Sequence, residues 1–105
     1  MTQVPPDLPI TDNEAAGQYE LRVGEHLAIL QYIRRPGRVV LVRIAVPKAI
    51  EGHGVGAQLA RHALHDARSR GEQVDPRCPY VRAYMDQNPE YKGLVARSLD
   101  RHFVG

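Results

Sequence analysis

Long apolar runs, paired cysteines and charge of one sign are what this 105-residue sequence has least of. No apolar run approaches the ~20 residues that span a bilayer, so no membrane partner is expected. The opening MTQVPPDLPITDNE is polar and proline-rich and lacks the apolar segment of a secretion signal. Cys78 is the single cysteine, which excludes an intrachain disulfide and fits a reducing, cytoplasmic setting. Fourteen lysines and arginines stand against twelve acidic residues, a formal charge of +2, and no basic run exceeds Arg34-Arg35. Nucleic acid is therefore not an expected partner. No repeat or low-complexity tract appears, and the length suits one domain with one core.

What is there has a clear period. Residues 1–16 hold three prolines and little apolar periodicity, which predicts a flexible N-terminal arm on a domain of residues 17–105. QYELRV alternates, with Tyr19, Leu21 and Val23 on one side, and predicts a half-buried strand. Gly24-Glu25 suits a two-residue hairpin, HLAILQYI the return strand, and Pro36-Gly37 a second turn. VVLVRIAV predicts a third strand, with Val40, Val42, Ile44 and Val46 on one face and Val39, Leu41, Arg43 and Ala45 on the other. Being apolar on both faces, it should be central and covered on both sides. From Val55 the period becomes helical: Val55, Leu59, Ala60, Ala63, Leu64 and Ala67 form one stripe, and Gly71 ends it. EQV then predicts a short strand parallel to the third, reached by a right-handed crossover. CPYVRAYMDQN predicts a helix with Pro79 at its first position, and EYKGLVARSLDRHF a last helical piece. The order βββαβα(α) makes the fold class mixed α/β, an antiparallel meander followed by a β-loop-α-β crossover and a C-terminal helix.

Between strand and helix lies EGHGVG, residues 51–56. Its glycines fit two readings: a tight turn, or a loop whose backbone approaches a phosphate at a helix N-terminus. A Walker A loop is excluded because no Gly-Lys-Ser/Thr follows. A dinucleotide fingerprint is excluded too: the spacing is G-x-G-x-G, and one crossover builds no dinucleotide crevice, whatever the position of Asp75.

The segment around this loop resembles the cofactor-binding core of the GNAT superfamily of N-acetyltransferases, whose (Gln/Arg)-x-x-Gly-x-(Gly/Ala) loop lies between a central strand and a helix. Gly54, Val55 and Gly56 match its last three positions, and Glu51 stands where the family has Gln or Arg. Val46-Pro47, Pro76-Arg77-Cys78-Pro79 and Asn88-Pro89-Glu90-Tyr91 resemble a branch of very short GNAT-like proteins over about Gln18 to Val95. The resemblance implies a GNAT-like minimal core that binds acetyl-CoA or coenzyme A. The pyrophosphate would lie on Glu51, Gly52, His53, Gly54, Val55 and Gly56, and the pantetheine arm along Ile44 to Val46. The implied activity is transfer of acetyl to a primary amine on a small molecule or a protein. A non-catalytic CoA-binding or regulatory module is the alternative, and a small interaction domain without a ligand a third.

One departure bears on the chemistry. Family members often carry a glutamate base on the central strand, whereas this chain has Arg43-Ile44-Ala45-Val46. Alanine moves no proton, and arginine stays protonated. Cys78, placed to cap the helix that begins at Pro79, is therefore a candidate nucleophile or base, or a small buried hydrophobe. The resemblance puts it near the acetyl group. Tyr84 is the candidate acid for the departing thiolate, against a structural pairing with Tyr80. Arg43 fits either an anionic acceptor or a neighbouring carboxylate. His62, His65 and Asp66 make a weak metal pattern, so no metal is expected. Full-sized family members insert helices where this chain has Gly24-Glu25, so the acceptor side should be open or closed by a second subunit, a homodimer.

Overall fold

A computed structural model describes residues 8–96. Five strands form one sheet in the order β1-β2-β3-β4-β5: β1 (Ile10–Asn13), β2 (Gln18–Val23), β3 (His26–Arg35), β4 (Arg38–Ala45) and β5 (Gln73–Pro76). Helix α1 (Val55–Ser69) joins β4 to β5, and α2 (Pro79–Gln87) follows β5. The first four strands are antiparallel neighbours, and β5 runs parallel to β4 as the crossover requires. The mixed α/β expectation holds.

Both hairpins turn where expected. Val23 faces His26 across Gly24-Glu25, and Arg35 faces Arg38 across Pro36-Gly37. Gly24 and Gly37 have φ of 60° and 71°, a region open to glycine at little cost. All six residues of the helical stripe are buried, joined by Gly56, and Pro79 opens α2 with Cys78 as its N-cap. The stripe packs on Tyr19, Leu21, Leu30, Val39, Leu41 and Val74, each at most 1% exposed.

Three expectations need correction. Ile10–Asn13, placed in the loose arm, instead form an edge strand on β2, from Ile10 opposite Leu21 to Asn13 opposite Gln18. Polar contacts hold it: the Tyr32 hydroxyl donates to Asp12, and Asn13 Nδ2 to Glu20 at 2.9 Å. Such long-range bonds leave no mark on local periodicity. Residues 1–7 of that arm, and residues 97–103 of the last helical piece, lie outside the described residues; its start is a 3₁₀ segment, Pro89–Leu94.

The second correction concerns the alternation along β4. Gln31 faces Arg43 and Tyr32 faces Leu41, so Val42 is an extra residue, a bulge. Ile44 is thereby turned opposite buried Leu30 and packs on the core, instead of sharing the face of Val40. The third is that β4 is covered on one side only. Val39 and Leu41 are buried, whereas Val40 and Val42 are half-buried and Arg43 is exposed, donating from Nε to Gln31 Oε1 at 2.7 Å. One helical layer needs one apolar face.

A polar cluster ties the sheet to the far end of α1. Arg34 Nε donates to Glu72 Oε2 at 2.8 Å, and its Nη2 donates to the Tyr19 hydroxyl at 3.0 Å and lies 3.6 Å from Asp66. Tyr19 in turn donates to Asp66 at 2.5 Å, and Arg70 pairs with Asp66 at 3.1 Å. Burial and the carboxylate of Asp66 push the Tyr19 phenol well above its usual range. Burial and Asp12 push Tyr32 up to about 12. For Asp66 burial works upward, but the bonds from Tyr19 and Arg70 outweigh it and hold the carboxyl below its ordinary value.

Candidate acyl-CoA site

The parallel ladder between β4 and β5 is short. It runs from Arg38 opposite Gln73 to Leu41 opposite Pro76, and the Cys78 N–H closes it on the Leu41 carbonyl at 2.9 Å. Beyond the Val42 bulge, β4 continues to Ala45 beside β3 alone. Val46-Pro47 then leaves the sheet, since proline has no N–H for a ladder. The strands part here, and a cleft of about 560 Å³ opens beside the unpaired end of β4.

Three segments wall the cleft. Ile44, Ala45 and Val46 supply the free strand edge. Ile50, Glu51, Gly52 and Gly54 supply the loop, and Val55 and Gly56 the first turn of α1. Tyr80, at the start of α2, is the third. Gly52 and Gly54 have φ of 82° and 75°, so both lie in the left-handed region. A Cβ at either would meet nothing within 4 Å, which leaves their backbone open to a ligand and makes strain the main cost of a side chain there. Gly54→Ala should accordingly cost about 1 kcal/mol. In urea melts the midpoint should fall with an unchanged m-value.

Gly54 is also the N-cap of α1, with no side-chain cap and no acidic residue in the first turn. The Gln58 N–H reaches the Gly54 carbonyl at 3.0 Å, while the N–H groups of the first turn precede any intrahelical acceptor. Donors and the positive helix end thus face the cleft, the arrangement that suits a phosphate.

Of the residues expected at a cofactor, Ile44, Val46, Glu51, Gly52, Gly54, Val55 and Gly56 converge here. His53 does not: it lines a second cavity, of about 310 Å³, beside the Gly24-Glu25 turn. Cys78 is 3% exposed, packs in the core below the split, and is not among the cleft-lining residues. Tyr84 is partly buried against the core, its ring centroid 5.9 Å from that of Tyr91, and burial raises its phenol above the usual range, with Tyr91 adding to the effect.

Tyr80 is the phenol the sequence left unassigned. It is 46% exposed, and its Cζ lies 2.9 Å from where a Cβ on Gly56 would sit. The small residue at 56 and the ring at 80 belong together, but nothing local to either reveals the pair. The remaining polar candidates are engaged elsewhere. His65 Nε2 is 2.8 Å from the Tyr91 hydroxyl, His62 stacks edge-on against Tyr19, and Asp75 is buried and bonded to Arg77 Nε at 2.9 and 3.0 Å. Among the described residues no group of three or more His, Cys, Asp or Glu is arranged to hold a metal ion. No helix among them is long and apolar enough to cross a membrane.

A search of curated proteins returned no match. Residues 18–94, well over half of the chain, match the family model described as GCN5-related N-acetyl-transferase, and the match spans the split strands, the loop, both helices and Tyr80. The chain therefore belongs to the GCN5-related N-acetyltransferase family, whose domains serve acyl transfer.

Proposed function

We propose that this domain binds acetyl-CoA in the cleft at the unpaired end of β4 and transfers its acetyl group to a primary amine on a small molecule or a protein. The observation that carries the reading is the meeting of a free strand edge, a left-handed glycine loop and an uncapped helix N-terminus around one cleft. These parts fit the coenzyme piece by piece. The loop and the first turn of α1 offer N–H donors to the diphosphate. The peptide groups of Ile44 to Val46, with no partner strand on the β5 side, can bond the amides of the pantetheine arm. The coenzyme would supply an acyl thioester; the chain supplies position and charge.

Among the cleft-lining residues, Glu51 and Tyr80 are the ones that ionise. Tyr80, half exposed at the cleft, is the phenol suited to protonate a departing thiolate, whereas Tyr84 would have to act from behind it. Direct attack by the amine is the simpler route, since an acetyl-cysteine step would need Cys78 to leave the core. Ala45, at the strand position where the family often carries its carboxylate, favours a second reading: a CoA-binding module without turnover.

The test is release of free CoA thiol with a panel of amines, for the wild type, Tyr80→Phe and Cys78→Ala. Amine-dependent turnover that falls about tenfold or more in Tyr80→Phe and persists in Cys78→Ala supports direct transfer with Tyr80 as acid. An acetyl adduct mapped to Cys78, with loss of turnover in Cys78→Ala, replaces it with the covalent route. Binding without turnover over the whole panel leaves the module.

A further inference from the structure

The sheet has a second face that neither the core nor the cleft reading uses. Side chains alternate across a strand and paired residues share a face, so the register fixes what that face carries. Leu27 and Ile29 lie on it, with Ala45 opposite Ile29, and further along β3 Ile33 lies opposite Val40. Among the described residues Ile33 and Tyr80 are the exposed large hydrophobic side chains, and Ile33 is 49% exposed. Tyr80 lines the cleft, whereas Ile33 belongs to this open face. The buried residues of the strands and of both helices form one core on the other side. Ala45 belongs to the open face and also lines the cleft, so the two surfaces meet there.

Charge on this face is one-sided. Arg22 stands opposite Leu27, Arg43 opposite Gln31 and Arg35 at the hairpin end, and all three are exposed. Arg43 Nε donates to Gln31, so its partner is neutral and no carboxylate offsets its charge. The acids of the same face are engaged. Glu20 accepts from Gln18 Nε2 at 2.6 Å and from Asn13 Nδ2 at 2.9 Å, and buried Asp75 pairs with Arg77. Three exposed cations against the Glu20 carboxylate leave the face net positive around an aliphatic middle. A second copy docked face to face would set arginine against arginine. A nucleic acid would find cations but no ring to stack on, because Tyr19 and Tyr32 are in the core and the other tyrosines are on α2 and Pro89–Leu94. A protein segment with acidic and aliphatic side chains complements both features.

We propose that this face docks an acidic, aliphatic protein segment as the acyl acceptor, and that a lysine of the segment reaches the cleft past Ala45. The acceptor role rests on the cofactor reading of the cleft; the docking does not. In the transfer, the neutral lysine amine forms the amide C–N bond as the thioester C–S bond breaks. The departing CoA thiolate takes the Tyr80 proton, and the proton released by the amine returns to Tyr80 through solvent.

NMR titration of the full chain with a short peptide that alternates glutamate and leucine around one lysine tests the docking. Saturable shifts should map to Ile29, Ile33 and Val40 and spare the outer side of α1. A peptide with glutamine in place of glutamate should bind about fivefold more weakly, as for two or three exposed ion pairs. The double variant Arg35→Gln, Arg43→Gln should lose about as much for the first peptide. Both residues are exposed, and glutamine at 43 keeps a donor for Gln31, so the fold should persist. Absence of saturable shifts, shifts mapped elsewhere, equal binding of the two peptides, or tighter binding of oligothymidylate overturns the proposal. With acetyl-CoA added, the lysine of the first peptide should be acetylated at a KM about fivefold below that of the glutamine peptide, with similar kcat. A protein that acetylates free amines but not the docked lysine refutes the acceptor role. Failure to bind acetyl-CoA overturns the cleft reading instead, and the titration still decides the docking.

Discussion

Gly56→Val is expected to weaken acetyl-CoA binding by about ten- to 100-fold while the domain stays folded. Gly56 lies within α1 at helical φ, so no left-handed backbone is lost, and glycine and valine differ by only a few tenths of a kcal/mol in helix propensity. The new side chain points at the Tyr80 ring, whose Cζ and hydroxyl lie 2.9 and 3.0 Å from the added Cβ. That ring end is half exposed and can yield. Yielding pushes the phenol into the cleft, and valine's methyl groups fill the space beside the first N–H groups of α1. Overpacking of this kind costs about 1–3 kcal/mol, and 1.4 kcal/mol is tenfold in affinity. Calorimetry beside a thermal melt separates the two effects. Unchanged affinity in a folded Gly56→Val protein would move the ligand away from this turn.

The second large effect concerns stability. Arg34→Met should cost about 3 kcal/mol, because it strips Glu72 of its cation and leaves Asp66 and Asp12 to Arg70 alone. The Glu72 side chain is 9% exposed and its Oε1 already has no hydrogen-bond partner, so it would suffer most. For a domain of this size the melting temperature should fall by about 15 °C. A loss below 1 kcal/mol would show the cluster to be a solvated surface pair.

The same cluster sets the pH limits of the fold. Asp66 titrates lower folded than unfolded, so its contribution is present above its ordinary value and is lost as pH falls through the folded one. Tyr32 titrates higher, at about 12 against 10.0, so its contribution is complete below pH 10 and is lost as pH rises toward 12. Denaturant melts at pH 7, 10 and 11.5 should show stability level to 10 and falling after it.

Much of this was legible in the chain because it is local. The apolar stripe from Val55 to Ala67, the hairpin turns at Gly24 and Pro36-Gly37, and Pro79 opening a helix all write their period or their backbone need into adjacent residues. So does the glycine loop, whose residues line the cleft with the exception of His53. What escaped is non-local. The Val42 bulge arises from pairing with β3, and it alone turns Ile44 toward the core. Strand β1 is held by side chains of β2 and β3 that no window of its own sequence contains. Arg34, just past the predicted strand HLAILQYI, extends β3 and finds its partners on β1, β2, α1 and at Glu72. Tyr80 and Tyr84 share a helix spacing, yet only contact with Gly56 distinguishes the one at the cleft.

The central claim is that the cleft at the unpaired end of β4 holds a CoA thioester, and calorimetric titration of the purified protein with acetyl-CoA tests it most directly. The account predicts one site per chain with micromolar affinity, weakened at least tenfold in Gly56→Val. Absence of binding by the folded wild-type protein would contradict it and reduce EGHGVG to a turn between a strand and a helix.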